Sequence, residues 1–146
     1  MKIRKLKPSD IKSSSSIVEN NYSKTYGNRS KKELWAMFKN KVFDPIYFVA
    51  EENKKIIAFG GYVQSPMDYH IYEIFWVNVS HKNQNKGTGT KLIQHIIKEI
   101  KKKRGNDKAS MILLTTTKPK FYKKFGFKTF LNRSKNYGLM SLRLSK

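Results

Sequence analysis

The sequence predicts a mixed α/β (α+β) domain, in which a sheet of parallel and antiparallel strands is covered by helices on both faces. Short apolar runs bounded by polar residues recur along the chain and are typical of strands. Two of them, Tyr47–Ala50 and Ile56–Phe59, are close enough in sequence to form a hairpin. A third, Ile74–Val79, leads through a glycine turn into an amphipathic helix and then into Met111–Leu114, which has the character of a covered parallel strand.

The N-terminal third predicts one strand and two helices. Met1–Lys7 alternates apolar and basic residues, as an edge strand does. A helix is expected to start at Pro8–Asp10, and the serine run Ser13–Ser16, poor in helix formers, predicts that this helix is broken or mobile. Ser30 and Glu33 have the spacing of a capping box, which predicts the start of a short second helix.

The remaining elements follow from turn residues and periodicity. The hairpin is expected to turn at Asn53-Lys54, and Gly60-Gly61 predicts a bulge or a close backbone approach. After the hairpin we expect, in order, a strand at Tyr69–Val79, a helix at Gly87–Arg104, a strand at Ser110–Thr115, a short helix at Pro119–Lys124, and strands at Phe127–Leu131 and Gly138–Leu144.

The turn before the long helix, QNKGTG at Gln84–Gly89, is suited to an anion. Glycines allow the backbone to approach a ligand closely, and the first N–H groups of a helix favour negative charge. The turn is not a Walker loop, because the required Lys-Ser/Thr pair is absent, and Leu92 stands where a dinucleotide fingerprint needs a third glycine. A phosphate-binding loop is the prediction, and a glycine turn that only starts a helix is the alternative.

A second motif lies one helix and one strand downstream, where Lys120–Phe127 reads KFYKKFGF. In this order, Q-x-x-G-x-G and F-Y-x-K-x-G-F resemble the pyrophosphate loop and a later signature of the GCN5-related N-acetyltransferases (the GNAT superfamily). The resemblance covers residues 1–146 in element order, as one domain. It implies a central, mostly antiparallel sheet with a splayed parallel pair. It also implies transfer of an acetyl group from acetyl-CoA to a primary amine, on a small molecule or a protein, by direct attack in a ternary complex.

The resemblance also assigns the residues that would bind acetyl-CoA. Backbone groups at Val77, Asn78 and Val79 would contact the pantetheine arm, with the Val79 amide as the oxyanion donor. The pyrophosphate would lie against a continuous segment whose lysine adds positive charge. That segment consists of Gln84, Asn85, Lys86, Gly87, Thr88, Gly89 and Thr90.

Acetyl transfer to an amine requires a neutral nucleophile and a proton for the departing thiolate. By the resemblance, Tyr122 is the general acid that protonates the thiolate of coenzyme A; the alternative is a ring that only packs its helix on the sheet. The same F-Y motif departs from the family at Thr115 and Lys118, where Asn and Ala are usual. A cofactor contact on that side is therefore expected to be altered.

Glu73, eleven residues before Gln84, matches the general base of one branch of the superfamily. Strand alternation predicts that it shares a face with Phe75, Val77 and Val79 unless a bulge shifts the register. An ion pair with a lysine is the structural alternative for Glu73. His70 or a chain of water molecules are the alternative bases.

Composition limits the other classes of function. The chain has no cysteine and shows no metal-ligand spacing of histidines, so no metal is expected, and its N-terminus lacks the apolar segment of a signal peptide. We therefore expect a cytoplasmic protein without membrane association. The net charge of +21 arises from 31 basic residues, of which 26 are lysines, and favours a solvated surface over a surface that reads bases.

Three questions stay open at this stage. A basic nucleic-acid-binding module, with Phe121–Phe130 as a stacking face, is the rival class, and only weak, non-specific nucleic-acid binding is expected. A GNAT domain that binds coenzyme A without turnover is another alternative. The sequence decides neither the identity of the acceptor amine nor whether the protein forms a homodimer. The acceptor site would include aromatic residues and one methionine, namely Tyr22, Tyr26, Trp35, Met67, Tyr69 and Tyr137.

Overall fold

The computed structural model describes residues 1–39 and 42–144. Within these ranges the strands are β1 (Lys2–Lys5), β2 (Ile46–Glu52), β3 (Lys55–Gln64), β4 (Ile71–Val79), β5 (Met111–Thr116), β6 (Lys128–Ser134) and β7 (Tyr137–Arg143). The α-helices are α1 (Ile11–Asn21), α2 (Lys24–Lys39), α3 (Thr88–Lys101) and α4 (Pro119–Lys123).

All seven strands form one sheet in the order β1-β2-β3-β4-β5-β7-β6. Neighbouring strands are antiparallel except β4 and β5, which are parallel. Their ladder joins only residues 71–73 to residues 111–113, and beyond it the two strands diverge. The predicted mixed sheet with a splayed parallel pair is therefore confirmed, as is the position of the first strand at the edge.

Each face of the sheet has its own core. Helix α3 contributes Leu92, Ile93, Ile96 and Ile100, all fully buried, to one face together with Tyr72. Helices α1 and α2 cover the opposite face, where their apolar side chains pack against the other side of β2 and β3. Burying each such aliphatic side chain contributes about 1.5–3 kcal/mol, so the amphipathic pattern of α3 is sufficient to hold it on the sheet.

The serine run does not break the first helix, so the prediction of a broken helix was wrong. Helix α1 is continuous through Ser13–Ser16. The hydroxyls of Ser15 and Ser16 donate to the Lys12 carbonyl at 3.1 and 2.8 Å, which satisfies them within the helix. Ser14 is fully buried. Tertiary packing therefore outweighs the low helix propensity of serine.

Helix α2 begins six residues before the predicted cap, at Lys24. Ser30 is not an N-cap: it is buried within the helix, and its hydroxyl donates to the Gly27 carbonyl at 2.8 Å. Gly27 allows α1 and α2 to pack closely, since a Cβ on it would lie 2.9 Å from Glu19 Cβ. The other predicted elements are confirmed, with ends that differ by at most three residues except in β3, which continues through the glycine pair to Gln64, five residues beyond its predicted end.

A β-bulge interrupts β4 next to the glycine pair of β3. Gly61 pairs with Phe75 and Phe59 pairs with Asn78, so two residues of β4 face the single residue between them on β3. A Cβ on Gly61 would lie 2.5 Å from the Tyr47 ring, which explains why that position has none. The bulge and close approach predicted from Gly60-Gly61 are confirmed. The bulge also reverses the faces of the strand beyond it.

Candidate functional site

The turn between β4 and α3 presents a row of backbone N–H groups without acceptors. The first bond of α3 runs from the Lys91 N–H to the Gly87 carbonyl at 3.1 Å. Within the described ranges, the amides from Asn85 to Thr90 have no acceptor. Asn85 and Gly87 take positive φ values of 62° and 84°, which turn this backbone into a concave surface. Such a surface at a helix N-terminus suits an anion of the size of a diphosphate.

Two cationic side chains lie at this loop, one within it and one that reaches it from the end of α4. Lys86 lies within it, and the Lys124 ammonium donates to Thr90 Oγ1 at 2.6 Å while lying 4.4 Å from the centre of the Phe121 ring. A cation beside the first turn of a helix opposes the helix dipole, so the arrangement is favourable only with an anion between them. The donors present therefore fit the pyrophosphate of coenzyme A. Lys124 was not singled out from the sequence, although it is the lysine of the F-Y-x-K motif.

The glycines of the loop have different reasons to be glycine. Gly87 requires the left-handed backbone, and a Cβ there would meet nothing within 4 Å. Gly89 has an ordinary backbone, but a Cβ on it would lie 3.3 Å from Phe121 Cζ and 3.5 Å from Val79 Cγ2. The start of α3 thus packs directly against both α4 and the end of β4, which brings the two motifs together.

The end of β4 directs backbone groups into the gap beside β5. The Ser80 N–H donates to the Ile57 carbonyl at 2.8 Å, so the neighbouring pair of Ala58 and Val79 is not hydrogen-bonded across the ladder. The Val79 N–H therefore points away from β3, towards the splayed gap. The Val79 carbonyl accepts from Asn21 Nδ2 at 2.9 Å and from Gln84 Nε2 at 3.1 Å.

The side chains of Gln84 and Asn78 connect the end of β4 to the loop that follows it and to α1. The Gln84 side chain ties the loop to Val79, and its own N–H donates weakly to the His81 carbonyl at 3.4 Å. Asn78 is buried and accepts from Asn21 Nδ2 at 3.3 Å. The C-terminal end of α1 is thereby fixed to the mouth of the gap, which the sequence did not reveal.

Tyr122 lies in α4 on the α3 side of the sheet. Its side chain is 8% exposed and is surrounded by Phe121, Phe125 and Phe127. The hydroxyl has no hydrogen-bond partner among the described residues, yet it is not sealed from solvent. Burial, with a smaller contribution from the phenol of Tyr22, raises the pKa of Tyr122 well above its ordinary value. Tyr122 is thus protonated at neutral pH and can act as a proton donor.

Glu73 lies on the face of the sheet opposite to two of the three residues predicted to share its face. Val77 and Val79 pack with the α3 core, whereas Phe75 packs with the α1 and α2 core. The prediction that Glu73 shares a face with Phe75, Val77 and Val79 was therefore right only for Phe75. The extra residue of the bulge is the physical cause. Glu73 is half-buried, and no basic group of the described residues forms an ion pair with it.

His70 is poorly placed to act as a base. Its Nδ1 lies 2.7 Å from the Lys108 carbonyl oxygen. It precedes Trp76 of the bulge by six residues of extended chain, which corresponds to about 20 Å. Glu73 is half as far from the bulge along the same strand.

The aromatic residues expected around an acceptor separate into exposed and structural ones. Tyr22 and Tyr26 are 64% and 55% exposed, with ring centres 6.0 Å apart, at the junction of α1 and α2. Met67 and Tyr69 are exposed beyond β3. Trp35 instead is half-buried and packs against the α1 and α2 core, and the Tyr137 hydroxyl donates to Thr115 Oγ1 at 3.0 Å.

A polar contact at the bulge was not foreseen. The indole N–H of Trp76 donates to Glu33 Oε1 at 3.1 Å, and Arg29 Nε donates to Glu33 Oε2 at the same distance. Glu33 was expected to complete a capping box at Ser30. The sequence signal for the observed role is the i,i+4 spacing of Arg29 and Glu33 in α2; the contact with Trp76 spans 43 residues.

The chain belongs to the GNAT acetyltransferases, since the family model described as "Acetyltransferase (GNAT) domain" matches residues 44–129. No curated protein is similar enough in sequence to count as a relative. In the parts of the chain that the structure describes, no helix is long and apolar enough to cross a membrane.

Solved structures with the same fold span nearly the whole chain. A GNAT-family protein from Desulfovibrio desulfuricans is 14% identical, with a TM-score of 0.82 over 97% of this chain and 98% of that one. The aminoglycoside 6'-N-acetyltransferase from Enterococcus faecium is 17% identical, with a TM-score of 0.79 over 98% and 97%. The PaiA N-acetyltransferase from Thermoplasma acidophilum, in complex with coenzyme A, is 19% identical, with a TM-score of 0.74 over 98% of each chain. At these identities the likeness shows the fold alone.

Proposed function

We propose that this protein is an acetyl-CoA-dependent N-acetyltransferase that acts on a primary amine by direct attack in a ternary complex. The observation that carries the proposal is the row of acceptor-free amides from Asn85 to Thr90, which lies against Phe121 of the helix that carries Tyr122. A glycine turn that only started a helix would not need Lys86 and Lys124 beside it. A structural neighbour, PaiA from Thermoplasma acidophilum, has coenzyme A bound, and another is an aminoglycoside N-acetyltransferase.

Cofactor binding is assigned to the end of β4 and the following loop. The amides of Asn85, Lys86, Gly87, Thr88, Gly89 and Thr90 would hold the pyrophosphate of coenzyme A. Gln84 would brace this loop through its bond to the Val79 carbonyl. The backbone of Val77, Asn78 and Val79 would line the pantetheine arm, because the divergence of β5 leaves this side of β4 unpaired.

The catalytic roles follow from the same geometry. Acetyl-CoA supplies an acetyl group activated as a thioester. The Val79 N–H would stabilise the negative charge that develops on the carbonyl oxygen. The Tyr122 hydroxyl would protonate the departing thiolate. Glu73 would accept the proton of the amine through water, because about 10 Å of extended strand separates it from the bulge.

The decisive experiment measures cofactor binding and turnover separately. Isothermal titration with acetyl-CoA is expected to show binding at one site, and a thiol-release assay over a panel of primary amines is expected to show turnover. Binding without thiol release for any amine would leave a coenzyme A-binding domain that is not an enzyme. Absence of binding would refute the assignment of the loop itself.

A further inference from the structure

Trp76 occupies an unusual position at the bulge of β4. Its φ of 56° lies in the left-handed region, which is unfavourable for a residue with a bulky side chain. The bulge places its side chain with the core of α1 and α2, while Val77 beside it packs with the α3 core. The indole N–H, the polar atom of this side chain, is directed at Glu33.

Each carboxylate oxygen of Glu33 accepts one hydrogen bond, and the two donors differ in how exposed they are to solvent. Oε1 accepts from the buried side, from Trp76, while Oε2 accepts from Arg29, whose side chain is 73% exposed. An exposed i,i+4 ion pair of this kind contributes little to stability. A cationic ligand can therefore displace Arg29 while Trp76 keeps the carboxylate in place.

The surroundings of Glu33 suit an organic cation. Tyr26 precedes Glu33 by seven residues and lies on the same side of α2, two turns nearer the exposed Tyr22 ring. The Glu33 carboxylate and these exposed rings lie about 10 Å apart along the helix axis, so they offer charge and cation–π attraction at two separate points of one surface. On a chain of net charge +21, a negative group that is only weakly paired marks a place where a cation is accepted rather than repelled.

We propose that Glu33, oriented by Trp76, recognises a positively charged group of the acceptor. The acceptor would then be a primary amine that carries a second cationic centre, as a linear diamine does. The reacting amine must lose its proton to attack, whereas the second centre remains charged and binds Glu33. Glu33 is therefore a positioning and specificity residue and takes no part in the proton transfers. This inference rests on the proposed N-acetyltransferase function.

The kinetic test compares a linear diamine with an amino alcohol of the same length. Glu33→Gln removes the charge but keeps an oxygen that accepts from Trp76. We expect it to raise KM for the diamine by about tenfold, the loss of one charge-assisted contact, with little change in kcat or in KM for the amino alcohol. Arg29→Ala removes the competing cation and is expected to lower KM for the diamine severalfold. Glu99→Gln, which breaks a comparable helical pair with Lys102, is the matched control and is expected to change neither KM.

A binding measurement separates this inference from the proposed activity. The chain has two tryptophans, so Trp35→Phe leaves Trp76 as the single tryptophan, whose emission is followed by selective excitation. Titrating this variant with the diamine is expected to change its emission, and adding Glu33→Gln is expected to abolish the change. An undiminished response in the double variant, or equal effects of Glu33→Gln on both acceptors, would overturn the inference while leaving the acetyltransferase intact. Absence of turnover with every amine, with the emission change still dependent on Glu33, would instead overturn the proposed activity and support cation binding.

Discussion

The Lys124 ammonium donates to the hydroxyl of Thr90 at 2.6 Å, which joins the residue after α4 to the first turn of α3. This contact connects the two motifs that are 34 residues apart in the chain. It also brings positive charge to the end of a helix that is already positive, which is unfavourable without a bound anion. The cofactor phosphates are the anion that the proposed function supplies.

The first prediction concerns that lysine. Lys124→Met keeps the packing of the stem on Phe121 but removes the charge. Acetyl-CoA affinity measured by titration is expected to fall at least about tenfold, the cost of one charge-assisted contact, and to depend less on salt. Lys120→Met, at an exposed position of α4, is the control. Equal losses in the two variants would indicate a general charge effect rather than a specific contact.

The second prediction concerns Gly89. A glutamate there would add a side chain beside Phe121 and a negative charge at the anion site. Gly89→Glu is expected to abolish acetyl-CoA binding and the thermal stabilisation that the ligand provides. Gly89→Ala adds only a Cβ at 3.3 Å from Phe121 Cζ and should retain measurable binding. A folded Gly89→Glu protein with unchanged affinity would refute the assignment of the loop.

Local patterns predicted the strand, turn and helix around the loop because their signals lie within a few residues of one another. The start of α2 was missed because it depends on Gly27 packing against Glu19 of another helix. The face of Glu73 relative to Val77 depends on one inserted residue, and no local pattern reveals an insertion that only the partner strand defines. The contact of Glu33 with Trp76 is likewise a consequence of tertiary structure.

A third prediction concerns stability in acid. Burial alone would raise the pKa of Asp10, but hydrogen bonds from Arg4 and the Lys7 amide hold this pKa below its ordinary value. A carboxylate whose folded pKa is depressed stabilises the fold above its unfolded pKa, and this contribution is lost as pH falls through the folded value. Asp10→Asn is expected to lower the free energy of unfolding at pH 7 and to flatten its decline below about pH 4. Urea denaturation at pH 7 and below about pH 4 measures the free energy of unfolding of both proteins. An equal decline of this free energy with falling pH in the wild type and in Asp10→Asn would contradict the prediction.

The fourth prediction concerns Glu73. Glu73→Gln removes the charge at nearly constant shape, on a strand whose hydrogen bonds do not involve this side chain. If Glu73 is the base, turnover near neutral pH falls and the acidic limb of the pH–rate profile shifts or disappears. Raising the pH should partly restore the rate, because the amine then loses its proton to solvent. An unchanged profile would leave water as the proton acceptor, since His70 lies about 20 Å of extended chain from the bulge.

The last prediction concerns Tyr122 and separates an enzyme from a domain that only binds coenzyme A. Its hydroxyl has no partner among the described residues, so Tyr122→Phe is expected to leave folding and acetyl-CoA affinity nearly unchanged. Without the proton donor, turnover should fall by about a hundred- to ten-thousandfold. Because the pKa of Tyr122 is raised, the wild-type rate should show no loss from tyrosine ionisation at or below pH 10. Tyr47→Phe, which removes a buried hydroxyl from the core on the opposite face of the sheet, is the control for loss of a hydroxyl. Wild-type turnover in a folded Tyr122→Phe protein would remove Tyr122 from the mechanism and return the ring to a packing role.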